Sequence, residues 1–157
     1  MSEKIFSSLA SATQEVFKMM LDIDAVAGEK SSGGPDAAAD EITVVIGFLG
    51  DVSGRIYYFF PRETALEFVR IMSGMEVSEV DDFVTSAVGE ISNIISGNAA
   101  IGLSRQEISC DILPPEISVG NAEELQADGA KIFAATIHTT VGDVDLAVKI
   151  QQGQKKA

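Results

Sequence analysis

Glu90 and Asn93 are the residues of this sequence whose types and spacing suit chemistry: a carboxylate and a carboxamide three positions apart in the run Ser86-Ala87-Val88-Gly89-Glu90-Ile91-Ser92-Asn93-Ile94-Ile95-Ser96-Gly97-Asn98. The run reads as the middle of a long helix. At about 100° per residue, Ser86, Glu90, Asn93 and Gly97 fall within a stripe roughly 60° wide, while Val84, Ala87, Val88, Ile91 and Ile95 gather on the other side. An acceptor and a group that both donates and accepts therefore share an outward face. Gly89, Ser96 and Ala100 are expected on the same face, so no bulky side chain would hold a partner away, and the pattern is that of a docking ledge. On this reading a bulky residue at Gly89 weakens docking and leaves the fold intact. Solvated helices also carry Glu and Asn at i, i+3 as ordinary neighbours, so spacing alone leaves docking and plain solvation both open.

Other candidates have simpler accounts. His138 is the sole histidine, which rules out a histidine-based triad or a multi-histidine metal site within one chain. Its neighbours Thr136 and Thr140 place it on an exposed sheet face. Cys110, the sole cysteine, would need an activating base to act as a nucleophile, and its surroundings read as strand packing. The acids Glu79, Asp81 and Asp82, with Ser78, suit a helix start, where negative charge meets the positive end of the macrodipole. We assign no metal site to them. No glycine pattern forms a phosphate cradle, so an enzyme built on this chain must draw most of its chemistry from elsewhere.

The elements that position the pair follow from periodicity. Ile5, Leu9, Val16 and Met20, with Phe6 and Phe17, predict an amphipathic helix over residues 3 to 21. A short apolar piece, residues 23 to 27, follows, and then turn residues over 28 to 40 that predict a mobile loop inside one domain. Residues 42 to 49 are almost continuously apolar, and 55 to 60 return as a second strand around Gly50-Asp51-Val52-Ser53-Gly54. Tyr57, Tyr58, Phe59 and Phe60 must alternate between the two faces of the sheet, so one pair requires cover from a second layer or a second subunit. Pro61 opens a helix ending near Gly74, lined by Ala65, Phe68, Val69 and Met72. The site helix then begins near Ser78 and runs to about Leu103, loosened at Gly97 and Gly102. Extended pieces over 107 to 111 and 116 to 119 are separated by Pro114-Pro115, which demands an edge or crossover position. Residues 132 to 139 and 144 to 150 form a last hairpin. The sum is a single α+β domain over residues 1 to 157, a largely antiparallel sheet of strand hairpins with helices packed on it and a polar tail over 151 to 157.

With 11 Lys and Arg against 24 Asp and Glu, the formal net charge is −13. Such a surface repels nucleic-acid phosphates and anionic membranes, and asks of a protein partner a local basic contact. One cysteine allows no disulfide framework, and no apolar run is long enough to span a bilayer. The start lacks the pattern of a secretory signal, which makes the cytoplasm the expected compartment.

The segments Glu63-Thr64-Ala65-Leu66, Met72-Ser73-Gly74-Met75, Ala87 to Gly97, Pro114-Pro115 and Asp145-Leu146-Ala147-Val148, in that order, resemble the chemotaxis phosphatase CheX family and its CheC and FliY relatives. The family signature, Asp/Ser-x-x-x-Glu-x-x-Asn followed downstream by Pro, falls here on Ser86, Glu90, Asn93 and Pro115. The resemblance implies a CheC-like fold and a partner, the phosphorylated response regulator CheY, whose aspartyl phosphate and magnesium lie in the regulator's own pocket. It implies that Asn93 orients a water for in-line attack, that Glu90 pairs with the regulator's phosphate-contacting lysine, and that Ser86, Gly89, Gly97 and Pro115 belong to the docking face. No cofactor of its own is implied, and Mg2+ is expected in the partner. Glu15 with Lys18 three residues on departs from the second motif of CheC-type relatives, so one site per chain is expected. The resemblance to CheX also implies a homodimer, which would suit an aromatic strand face that needs cover. The competing class is a non-catalytic binding module of a signalling or flagellar switch assembly.

Overall fold

The computed structural model describes residues 2–29, 41–120 and 130–151. Helix α1 (Ser2–Val16) buries Ile5, Leu9, Ala12 and Val16 at helical spacing. Its expected last turn widens into a π-helical turn, Phe17–Leu21. The turn is closed by Asp22 in the left-handed conformation, whose N–H reaches back to the carbonyl of Lys18 at 3.0 Å. The widening brings Phe17 and Leu21 both into the core. The apolar piece that follows is an edge strand, β1 (Ala25–Glu29), so the first two residues of the expected loop belong to the sheet. Residues 30 to 40 of that loop lie outside the described residues, as do 152 to 157 of the tail.

Strands β2 (Ile42–Gly50) and β3 (Gly54–Phe60) form the expected antiparallel hairpin. Ile42, Val44, Ile46 and Phe48 share one face with Ile56, Tyr58 and Phe60 and build the main core there. Tyr57 and Phe59 point to the other face and stack at 6.2 Å beside Ala147 and Val45. Each is only 1% exposed. The cover that the pleat demanded is thus supplied within one chain, and these aromatics offer no bare face to a second subunit.

Helix α2 (Arg62–Ser73) starts after Pro61, at φ −59, and ends at Gly74, whose left-handed φ of 71 lets its N–H close on the carbonyl of Arg70. Arg62 and Arg70 then hold the following loop, donating to the carbonyls of Ser78 at 2.7 Å and Val77 at 3.0 Å. Helix α3 (Asp82–Ser104) therefore starts later than Ser78. Asp81 is its cap, accepting from the Val84 N–H at 3.1 Å. The expected loosening at Gly97 and Gly102 does not occur. Ile95, Ala99 and Leu103, all buried, pin the helix on both sides of each glycine, and that packing outweighs a glycine preference against helix of about 1 kcal/mol.

Glu107, at a left-handed φ of 66, turns the chain out of α3, which delays the next strand from Glu107 to β4 (Cys110–Ile112). β5 (Glu116–Val119) follows the proline pair. Both strands lie along the same edge of β2, β4 on Phe48–Gly50 and β5 on Ile42–Val45, and Pro114-Pro115 is the break between them. β6 (Ala130–Thr139) and β7 (Gly142–Gln151) complete the sheet, in the order β1-β6-β7-β3-β2-β4 with β5 also on β2. Every pairing among the described strands is antiparallel.

One buried polar contact ties α3 to the sheet: the hydroxyls of Tyr58 and Ser96 lie 2.7 Å apart. Burial holds the Tyr58 phenol far above its usual range, so it is neutral. Ser96→Ala strands that phenol without a partner and is expected to cost about 1–3 kcal/mol in urea unfolding. Tyr58→Phe combined with Ser96→Ala removes both polar groups and is expected to recover part of the loss; a double variant no better than Ser96→Ala would contradict this account of the contact.

Candidate active site

Side-chain burial along α3 separates two arcs. Val84, Val88, Ile91, Ser92, Ile95, Ser96, Ala99 and Leu103 are buried, over an arc of about 120–140° at 100° per residue. Opposite them run Ser86 and Glu90, exposed, with Asn93 and Gly97 half-buried, so the structure brings together all four residues of the expected ridge. Neither Glu90 nor Asn93 makes a hydrogen bond or ion pair with another described residue. Both side chains are free to meet something outside the chain.

Two flanking residues sit elsewhere than expected. Ser96 is fully buried on Tyr58 and belongs to the core face of the helix. Gly89 is buried beneath Ile117 of β5: a Cβ added to it would lie 2.5 Å from Ile117 Cδ1. The small residue at position 89 admits the protein's own edge strand. A larger side chain there must move the end of the Ile117 side chain, so it would act on the packing of β5 as well as on any docking surface. Pro115 stands in the corner that lays β5 along α3, two positions before Ile117. Ile117 was missed in the sequence because its alternation with Val119 spans only four residues. The signal that could have found it is a helical glycine opposite a strand whose apolar residues face the helix.

Charge around the ridge is one-sided. Arg105 is the sole cation in the sequence between Arg70 and Lys131, while Glu76, Glu79, Asp81, Asp82, Glu90, Glu107, Asp111 and Glu116 lie in the same span. Glu90 makes no ion pair with a described residue, and the nearest cation along the chain in this span is Arg105, fifteen positions on. Among the described residues, no group of three or more His, Cys, Asp or Glu gathers where it could hold a metal ion. His138 is exposed and pairs through Nδ1 with Asp143 Oδ1 at 3.1 Å, far along the sheet on β6. Cys110 Sγ contacts the Val52 carbonyl at 3.7 Å, and burial, with Asp51 and Asp111 nearby, holds the thiol above its usual range. A less ionised thiol is a weaker nucleophile. No described helix is long and apolar enough to cross a membrane.

An antiparallel sheet with its helices on the core face, and an acid and an amide on the outer ridge of the longest helix, defines an α+β domain of the CheC type. A CheC-like superfamily protein from Shewanella sp. PV-4 has this fold, with a TM-score of 0.84 at 20% identity, covering 96% of this chain and 99% of that one. The model of the chemotaxis phosphatase CheX family matches residues 42–138, and the chain belongs to that family. It is similar to the CheY-P phosphatase CheX of Thermotoga maritima, at 28% identity over 154 residues, which are 98% of this chain and 99% of the relative. A chain in the crystal structure of the CheX–CheY–BeF3–Mg2+ complex from Borrelia burgdorferi has a TM-score of 0.75 at 24% identity, covering 94% of this chain and 97% of that one.

The two glycines of the site helix should respond differently to a methyl group. Nothing lies within 4 Å of a Cβ built on Gly97. Gly97→Ala is therefore expected to stabilise the fold by about 1 kcal/mol in urea unfolding. Gly89→Ala is expected to lose some or all of that gain, because Ile117 must move; equal gains at both positions would count against the packing described.

Proposed function

We propose that this chain is a phosphatase that hydrolyses the aspartyl phosphate of a phosphorylated CheY-type response regulator, ending its signal in chemotaxis. The observation that carries the reading is the pair of unbonded side chains, Glu90 and Asn93, one turn apart on a convex ridge with a basic partner required by the charge around them. The name of the Thermotoga maritima relative and the content of the Borrelia burgdorferi complex support the same class of reaction and partner.

In this reading the ridge enters the regulator's cleft. Asn93 holds a water with its carboxamide, in line with the phosphorus and opposite the aspartyl oxygen. The water oxygen bonds to phosphorus, the bond to the aspartyl carboxylate breaks, and inorganic phosphate leaves. Glu90 pairs with the regulator's phosphate-contacting lysine and fixes the depth and direction of entry. The regulator's Mg2+ supplies charge neutralisation on the phosphoryl oxygens; this chain provides orientation. Ser86 and Gly97 keep the ends of the ridge low enough for both surfaces to close. The homodimer implied by the resemblance is a separate proposal, and a monomer in light scattering at micromolar concentration would remove it.

The test follows phosphate release from a phosphorylated response regulator of the same organism with Mg2+ present. Wild type should accelerate release. Asn93→Ala should lose about 100-fold or more of that acceleration and still bind the beryllofluoride-activated regulator. Glu90→Ala should weaken that binding by about 1.5–3 kcal/mol, and higher salt should lower kcat/KM by screening the acidic face. If wild type binds activated regulators and accelerates none, the chain is the binding module instead.

A further inference from the structure

Asn93 has no hydrogen-bond partner among the described residues, so packing must decide where its carboxamide points. A side chain on a helix leans toward the N-terminus and covers the turn before its own Cα. For Asn93 that turn carries Gly89, four positions back and on the same face. The place where a Gly89 side chain would stand is filled by Ile117, whose Cδ1 and Cγ1 lie 2.5 and 3.5 Å from the position of the missing Cβ.

Ile117 reaches this place because of its register. It pairs with Val44 of β2, a core residue, and so projects from the face of the sheet on which the helices pack. Position 117 lies at the rim of that face, where the side chain is still 38% exposed. Its end seats against the helix at Gly89, one turn before Asn93. A carboxamide at position 93 that leans toward the N-terminus, as helix side chains do, leans toward this place.

We propose that Ile117 is a positioning residue for the hydrolysis: seated in the notch at Gly89, it is the wall that holds the Asn93 carboxamide in its water-orienting rotamer. The assignment rests on the phosphatase reading above. A strut that only secured β5 could touch α3 anywhere along its length. This one ends one turn below the amide, and its outermost carbon fills the notch, so the deletion of a single carbon becomes informative.

Ile117→Val removes Cδ1 and keeps the β-branched strand residue. With folded protein verified by circular dichroism, kcat for phosphate release should fall roughly fivefold or more, since a small misplacement of an orienting group costs rate steeply, while KM stays within about twofold. Adding Gly89→Ala to Ile117→Val puts a methyl group back beside the vacated place and should return kcat to within about twofold of wild type. An unchanged kcat in folded Ile117→Val, or a rise in KM alone, would overturn the assignment by making Ile117 a strut or a docking contact; failure of the second substitution to rescue would do the same. If wild type itself accelerates no regulator, the phosphatase reading falls first and this assignment falls with it.

Discussion

The packing of α3 on the central strands is the constraint from which the rest of the molecule follows. Val84, Val88, Ile91 and Ile95 are wholly buried against a core that includes Val44, Ile46 and Tyr58. Gly89, Ser92 and Ser96 form the other border of that arc, and their small size lets the helix sit close to the sheet. Each serine finds a partner: Ser92 donates to the Val88 carbonyl at 2.8 Å, and Ser96 meets Tyr58. Once this face is fixed, the opposite face is fixed too, because a rigid helix cannot turn one side without the other. Glu90 and Asn93 are held outward by interactions that they do not themselves make.

The chemistry is divided accordingly. A carboxylate on a convex, solvated ridge is stable without a counter-charge, so Glu90 can wait unpaired in a stretch almost without cations. In the proposed complex, burial would remove that solvation and call for a cation from the partner. On that reading, a regulator lacking a cation at the right place would leave Glu90 buried and unpaired. The small apolar cavity of about 20 Å³ on the buried side of the helix, lined by residues such as Leu9, Phe48 and Leu103, includes neither Glu90 nor Asn93. The proposed reaction needs no small-molecule pocket, because its phosphoryl group would arrive in the partner's own cleft.

Much of this was legible in the sequence, for physical reasons that differ by element. The helical stripe of Ser86, Glu90, Asn93 and Gly97 was readable because a period of 3.6 is enforced by local hydrogen bonds. Pro114-Pro115 announced an edge because proline cannot donate to a ladder. Other features depended on tertiary contacts that periodicity does not carry. Ser96 lies near the border between the helix faces, and only Tyr58 assigns it to the core. Gly97 and Gly102 weaken a helix locally, but the sheet beneath holds it continuous. The π-helical turn at Phe17–Leu21 exists to seat two side chains at once. The aromatics Tyr57 and Phe59 alternate as the pleat requires, yet whether their face is covered within one chain is a property of the whole fold.

Gly89 shows how one local signal supports opposite readings. A glycine beside an acid and an amide suggests room for a partner, and the same absence of a side chain gives room to an edge strand. The distances decide for the strand, and that choice changes what the residue can contribute. An open glycine would only permit approach. An occupied one lets a distant segment, β5, touch the helix one turn below Asn93 and constrain a side chain that no hydrogen bond holds. The proline corner gains a role by the same route: it ends β4 and starts β5 in the register that aims Ile117 at the helix. In the proposed mechanism, a proline remote in sequence would belong to the site without meeting the partner, because its effect travels through the backbone of β5 to a single methyl group.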